Sequence, residues 1–307
     1  MDETPIRFEN VHRRFDQRWV LQGFDLAVPR GSVYALLGRN GCGKTTAIRI
    51  LLGFLQPHHG RSSLCGRDSQ DLDPATRGRV AYVTEGHRLH KLDRIQDVLA
   101  FEAATRPGFS KDRARDLMKR LALGSRQRIF TLSRGQRAQV ALVAALAADP
   151  EVLVLDDPAL GLDVVMRREL LDALIHALTD TGCTVLLSSH VMTDVERIAD
   201  RVGILHGGAL IVDSPLDDLK ARIERRFYEP RTPTEGPPPL PQVLRARPLP
   251  GGLDLTLCDV DDDLLARLRA TGARLGDAQR LGLEDLFLDL VTDPRAQAPQ
   301  GVGEAVA

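Results

Sequence analysis

From Ile6 to Arg226 short apolar runs alternate with longer stretches in which apolar residues recur every three to four positions. The short runs read as strands: Ile6–Val11, Phe24–Val28, Val33–Leu37, Val80–Val83, Val152–Leu155, Thr184–Leu187, Val202–Leu205 and Ala209–Val212. Strands that are apolar throughout, separated by helical spacing, predict an α/β core with a mainly parallel sheet buried between helices. The first two strands lead through Pro29-Arg30-Gly31 into the third, and they are expected to pair antiparallel. Between Leu92 and Leu132 no strand pattern occurs; Ile95–Ala104 and Lys111–Leu121 have helical spacing and predict an all-helical insert over about residues 90–135.

The pattern changes after residue 228. Residues 229–250 contain eight prolines, which cannot donate to a sheet or helix ladder, so this stretch reads as an extended linker closing a first domain of residues 1–228. Beyond it, Leu253, Leu255 and Leu257 alternate with Asp254, Thr256 and Cys258 as a half-buried strand. Helical spacing follows over Asp261–Ala270 and Leu283–Leu290, giving a small α+β domain at 251–292. Residues 293–307, rich in Ala, Gly, Pro and Gln, are expected to be disordered.

Composition narrows the function classes. With 41 basic and 42 acidic residues the chain has a formal net charge of -1, which supplies no electrostatic footprint for nucleic acid. The longest apolar run, Val140 to Ala148, is short of the ~20 residues a membrane-spanning helix needs, and the chain is expected in the cytoplasm. Cysteines 42, 65, 183 and 258 show no C-x-x-C spacing, and the pairs His58-His59 and His87 with His90 read as solvated loop histidines. Neither a zinc site nor a disulfide framework is expected.

The chemistry concentrates at Gly38-Arg39-Asn40-Gly41-Cys42-Gly43-Lys44-Thr45-Thr46, which satisfies G-x-x-x-x-G-K-[ST] between an apolar strand and a helical run. The glycines let successive amide hydrogens converge on phosphate oxygens, and the helix N-terminus adds the positive end of its dipole. Lys44 would pair with the β- and γ-phosphates, and Thr45 offers a hard oxygen to Mg2+. Val152–Leu155 runs into Asp156 and Asp157, a carboxylate pair of the kind presented beside a phosphate loop at a sheet's carboxyl edge; Asp156 would anchor the metal through water. Ser133, within Leu132-Ser133-Arg134-Gly135-Gln136, precedes an apolar helical run and is placed to cap it while its amides face an anion.

These three motifs, in this order and with a helical insert between them, resemble the ATP-binding cassette (ABC) subunits of transporters, whose core is a P-loop NTPase sheet with an antiparallel β subdomain. The resemblance covers Ile6 to about Arg226 and implies an ATPase using ATP and Mg2+. It places Phe15 against adenine, with a core or staple aromatic as the competing reading from the residue alone. Tyr82-Val83-Thr84-Glu85 matches the loop that meets the metal and the attacking water. Leu160-Gly161-Leu162-Asp163 matches the turn that signals across a dimer, and Ser188-Ser189-His190 the switch whose His contacts the γ-phosphate. It implies two copies, or one copy and a second ATP-binding subunit, stacked head to tail. The phosphate loop of one and the Ser133 to Gln136 segment of the other would then enclose each ATP. Separately encoded transmembrane permease subunits would hold the pair at the cytoplasmic face of a membrane.

The chain departs from the pattern at four positions, one of them Leu160, where Ser is frequent. Asp157 stands where the family usually has Glu, one methylene longer, as base or orienter of the attacking water, and slow hydrolysis is the expectation because a misplacement of about 1 Å can cost on the order of a hundredfold. Glu85 replaces Gln beside the metal, and Arg134 stands where Gly is frequent, where it either offsets that added charge or is simply solvated. Leu281-Gly282-Leu283-Glu284-Asp285-Leu286-Phe287-Leu288 resembles the end of export-type cassettes, and an ordinary amphipathic helix explains it too. An exporter ATPase is therefore weighed against a slow regulatory cassette and against a soluble cassette acting outside transport.

Overall fold

The computed structural model describes residues 3–84, 86, 89, 93–106, 108–179, 181–232 and 236–292. Glu85, His87, His90 and the tail 293–307 lie outside the described residues.

The chain builds three sheets. Strands β1 (Ile6–Phe15) and β2 (Arg18–Val28) pair antiparallel. Strand β3 (Val33–Leu37) enters the central sheet and is followed by helix α1 (Lys44–Leu51). Strands β4 (His59–Leu64) and β5 (Arg67–Asp68) return to the first sheet, whose order is β2-β1-β4-β5. Helix α2 (Pro74–Gly78) precedes β6 (Val80–Val83), after which α3 (Ile95–Thr105) and α4 (Lys111–Arg120) form the helical insert. Helix α5 (Arg134–Ala147), β7 (Val152–Asp156), α6 (Val164–Leu178), β8 (Thr184–Ser189), α7 (Met192–Ile198), β9 (Arg201–His206) and β10 (Ala209–Pro215) complete the core. The central order is β10-β9-β3-β8-β7-β6, parallel from β9 to β6, with β10 antiparallel at the edge.

Register decides where the chemistry lands. Leu37 pairs with Ser189, Asp156 with Ser188, and Val83 with Leu155, so the strands β3, β8, β7 and β6 end side by side. The loops after β3, β7 and β8, which carry the phosphate loop, the aspartate pair and His190, therefore leave the same carboxyl edge of the sheet, the edge at which open α/β sheets bind ligands. These strands are apolar on both faces because β7, with all five residues buried, and β8 are covered by helices on each side.

The C-terminal part corrects three expectations. Helix α8 (Leu216–Arg222) leads into β11 (Ile223–Glu229), which pairs not with the central sheet but with β13 (Gly252–Cys258), so the C-terminal sheet begins before residue 228. The expected linker at 229–250 contains β12 (Val243–Leu249), antiparallel to β13. Pro248 is accommodated because β12 is the end strand of the order β12-β13-β11-β14, where one flank needs no donor. Helix α9 (Asp262–Arg269), β14 (Arg274–Leu275), β15 (Gln279–Arg280) and α10 (Leu283–Thr292) complete this part, with β15 pairing β11. Nor is β13 half-buried: Leu255, Thr256, Leu257 and Cys258 are all buried. Leu255 and Leu257 pack with Leu264 and Leu268 of α9, while Thr256 donates to Asp289 of α10 at 2.6 Å, so helices cover both faces.

Helix α10 does not hang free. Leu283, Leu286 and Leu290 share one core with Met192 and Val195 of α7, the helix that follows His190. Glu196 on α7 accepts from the backbone N–H of Leu283 and from Lys220 Nζ, each at 2.9 Å, which caps the start of α10 with a carboxylate.

Candidate active site

The phosphate loop is shaped by its glycines and its lysine. Gly41 and Gly43 have φ of 78° and 123°, a region that disfavours side chains, and a Cβ on Gly43 would meet Leu21 Cδ2 at 2.9 Å and Val20 O at 3.0 Å. Lys44 is buried at 6 % exposure and donates from Nζ to the carbonyl oxygens of Gly38 at 2.7 Å and Arg39 at 3.5 Å. The loop is thus wrapped around an ammonium group, a preformed positive centre for phosphate oxygens. Cys42 Sγ lies against Gly38, where a Cβ would collide with it, and burial pushes the Cys42 thiol up.

Two aspartates at the end of β7 face different partners. Asp156, 3 % exposed, accepts on Oδ1 from Thr45 Oγ1 at 3.1 Å and from Ser188 Oγ at 2.8 Å. Two hard oxygens side by side at the mouth of the phosphate loop suit magnesium, which takes oxygen ligands and shares them with phosphates. Asp157 is turned into the left-handed region, φ 46°, and its N–H donates to the Ser188 carbonyl at 3.2 Å and Ser188 Oγ at 3.1 Å. Aspartate tolerates that conformation better than most residues. Asp157 Oδ1 lies 2.8 Å from Nδ1 of His190.

A cleft of about 360 Å3 opens here, lined by eight of the residues singled out in the sequence: Phe15, Asn40, Gly41, Gly43, Lys44, Thr45, Thr46 and Asp157. Val20 and Leu160 also line it. Val20 reaches it through an irregularity in the β1–β2 register, where Arg13 pairs with Leu21 but Arg14 with Trp19.

Ser133, Arg134, Gly135, Gln136 and Asp163 form a second cluster that does not line this cleft. Ser133 caps α5 by accepting from Gln136 N at 3.1 Å, and Gln136 Oε1 accepts from Ser133 N at 3.0 Å. Asp163 caps α6 through Met166 N at 2.9 Å. Arg134 fills the space a side chain on Gly161 would need, and Gly135 leaves room for Met166. The segments 133–136 and 160–163 are therefore packed together within one chain.

Ser188 went unassigned in the sequence, although it bonds both aspartates. Its signal was the run Ser188-Ser189-His190, of which only the histidine carries an obvious chemistry.

Comparison with known proteins agrees with this geometry. A family model described as ABC transporter matches residues 21–160. Daunorubicin resistance ATP-binding protein DrrA3 of Streptomyces coeruleorubidus is 34% identical over 226 residues, 72% of this chain and 71% of the relative. The chain belongs to the ABC transporter family. Similarity to this family extends through the C-terminal part: Nod factor export ATP-binding protein I of Burkholderia pseudomallei (strain K96243) is 32% identical over 94% of this chain and 98% of its own. A solved ATP-binding subunit of an ABC transporter superposes on this cassette with a TM-score of 0.64 and 27% identity, covering 71% of this chain and 92% of that one. The cassette is an ATPase subunit, and among the described residues no helix is long and apolar enough to cross a membrane.

Proposed function

We propose that the cleft at the carboxyl edge of the central sheet hydrolyses ATP in an export system, and that two cassettes close on each nucleotide. The observation that carries this reading is the meeting of three loops: Lys44 and Thr45 from one, Asp156 and Asp157 from the next, His190 from the third. Phe15, 44 % exposed at the cleft, is the platform for the base. The loop amides and Lys44 bind the phosphates. Thr45 and Asp156 would hold magnesium, which supplies charge neutralisation on the phosphate oxygens.

Asp157 and His190 divide the proton chemistry. A carboxylate can only accept, so the Asp157 contact keeps the proton of a neutral His190 on Nδ1 and leaves Nε2 with its lone pair. The shorter carboxylate thus orients the histidine, and Nε2 takes up the proton of the attacking water. Ser188 fixes the backbone of Asp157 during this step.

The Ser133-capped N-terminus of α5 lies outside its own chain's cleft, which supports a head-to-tail pair in which it faces the partner's nucleotide. Resistance and export in the names of the relatives support outward transport, with separately encoded membrane subunits as partners. Phosphate release by the unsubstituted chain and by Lys44→Ala tests the reaction: turnover lost in the variant supports it, and equal turnover rejects it. Recovery of a polytopic membrane protein with the chain from gently solubilised cells tests the partner.

A further inference from the structure

We propose that Arg13 is a positioning residue that sets affinity for the nucleotide base by acting through Phe15. The inference rests on the reading of Phe15 as the base platform. The Arg13 guanidinium carbon lies 4.9 Å from the centroid of the Phe15 ring. Phe15 lines the cleft and Arg13 does not, so the cation sits behind the platform rather than in the binding space. Its Nη1 donates to the carbonyl of Gln56 at 2.9 Å, in the segment after α1, the helix that begins at Lys44. Its Nε is buried with no hydrogen-bond partner, so at that atom the ring's π-face offsets the loss of water.

Phenylalanine has no polar atom with which to fix its own orientation, and this one is partly exposed. Arg13 supplies the anchor. A cation on one face also draws electron density from the ring, which strengthens the stack of an electron-rich purine on the other face. The tie to Gln56 links the platform to the segment that follows the phosphate-binding helix, so base and triphosphate are held at a set separation.

Equilibrium binding of ATP and of inorganic tripolyphosphate, each with magnesium, to the full chain and to Arg13→Met, Arg13→Lys and Phe15→Ala tests this. The expected result is a Kd for ATP raised roughly threefold to tenfold in Arg13→Met, the range a cation–π contact at a partly exposed site implies. Arg13→Lys retains most of the affinity, Phe15→Ala loses at least as much as Arg13→Met, and tripolyphosphate binds all four proteins alike, which also shows that the phosphate loop is intact. If Phe15→Ala weakens ATP binding and Arg13→Met does not, the role of Arg13 is wrong and the base platform stands. An unchanged Phe15→Ala overturns both. Equal losses for ATP and tripolyphosphate in Arg13→Met place its effect on the phosphate loop and also overturn the proposal.

Discussion

Nδ1 of His190 lies 2.8 Å from Oδ1 of Asp157, although 33 positions separate them in the chain. The contact follows from the pairing of β7 with β8 and from the left-handed backbone of Asp157, which turns its short side chain toward the end of β8. The pair should behave as one unit. Asp157→Asn and His190→Ala are each expected to lower kcat by about a hundredfold or more with little change in KM, as loss of an acid–base group does. The double variant should be no slower than the worse single one. Steady-state kinetics of the three variants checks this; losses that multiply would show that the residues act independently.

The glycines of the phosphate loop differ in what surrounds them. Gly43→Ala adds a close approach to Val20 and Leu21 to an unfavourable φ, whereas a Cβ on Gly41 meets nothing within 4 Å. Gly43→Ala should therefore destabilise by about 2 kcal/mol or more, and Gly41→Ala by about 1 kcal/mol from backbone strain alone. Denaturant unfolding of the two variants gives the comparison, and equal midpoints would contradict it.

Docking of the C-terminal helix should be acid-sensitive. Burial pushes the Glu196 carboxyl up, but hydrogen bonds from Lys220 and from the Leu283 N–H outweigh it and hold the group below its ordinary value of 4.5. Asp289 is likewise raised by burial, yet held below 3.8 by Thr256, Arg225 and Arg245. Both groups are depressed in the folded state, so their contribution is fully present above these ordinary values and is lost as pH falls through the lowered folded ones. Thermal midpoints should fall as the pH drops below about 5, and Glu196→Gln should flatten part of that fall. Asp289→Ala leaves two arginines without their buried carboxylate and should cost about 3 kcal/mol. A variant with an unchanged unfolding midpoint at neutral pH would show that the ion pairs do not hold α10.

The core was legible because its signals are local. β3, β6 and β7 are runs of apolar residues that no solvent-facing strand would carry, and the phosphate loop lies within nine consecutive residues. What escaped depends on distant partners. β11 reads as charged, yet Arg225 is held by Asp254 and Asp289 across the sheet and α10, contacts invisible along the sequence. β4, His-Gly-Arg-Ser-Ser-Leu, has no apolar alternation and becomes a strand because β1 offers it an edge. The aspartate at position 157 was visible as a departure, but its pairing with His190 required the register of β7 and β8. Phe15 was visible as a candidate; its contact with Arg13 was not.

The account turns on a triphosphate held between two copies of this chain. Sedimentation velocity of Asp157→Asn, which should bind ATP but cleave it slowly, tests this most directly. With saturating magnesium and ATP the account predicts a species of twice the 33.7 kDa monomer, reverting to monomer when nucleotide is removed and absent in Lys44→Ala. A monomer that persists with ATP bound would contradict it.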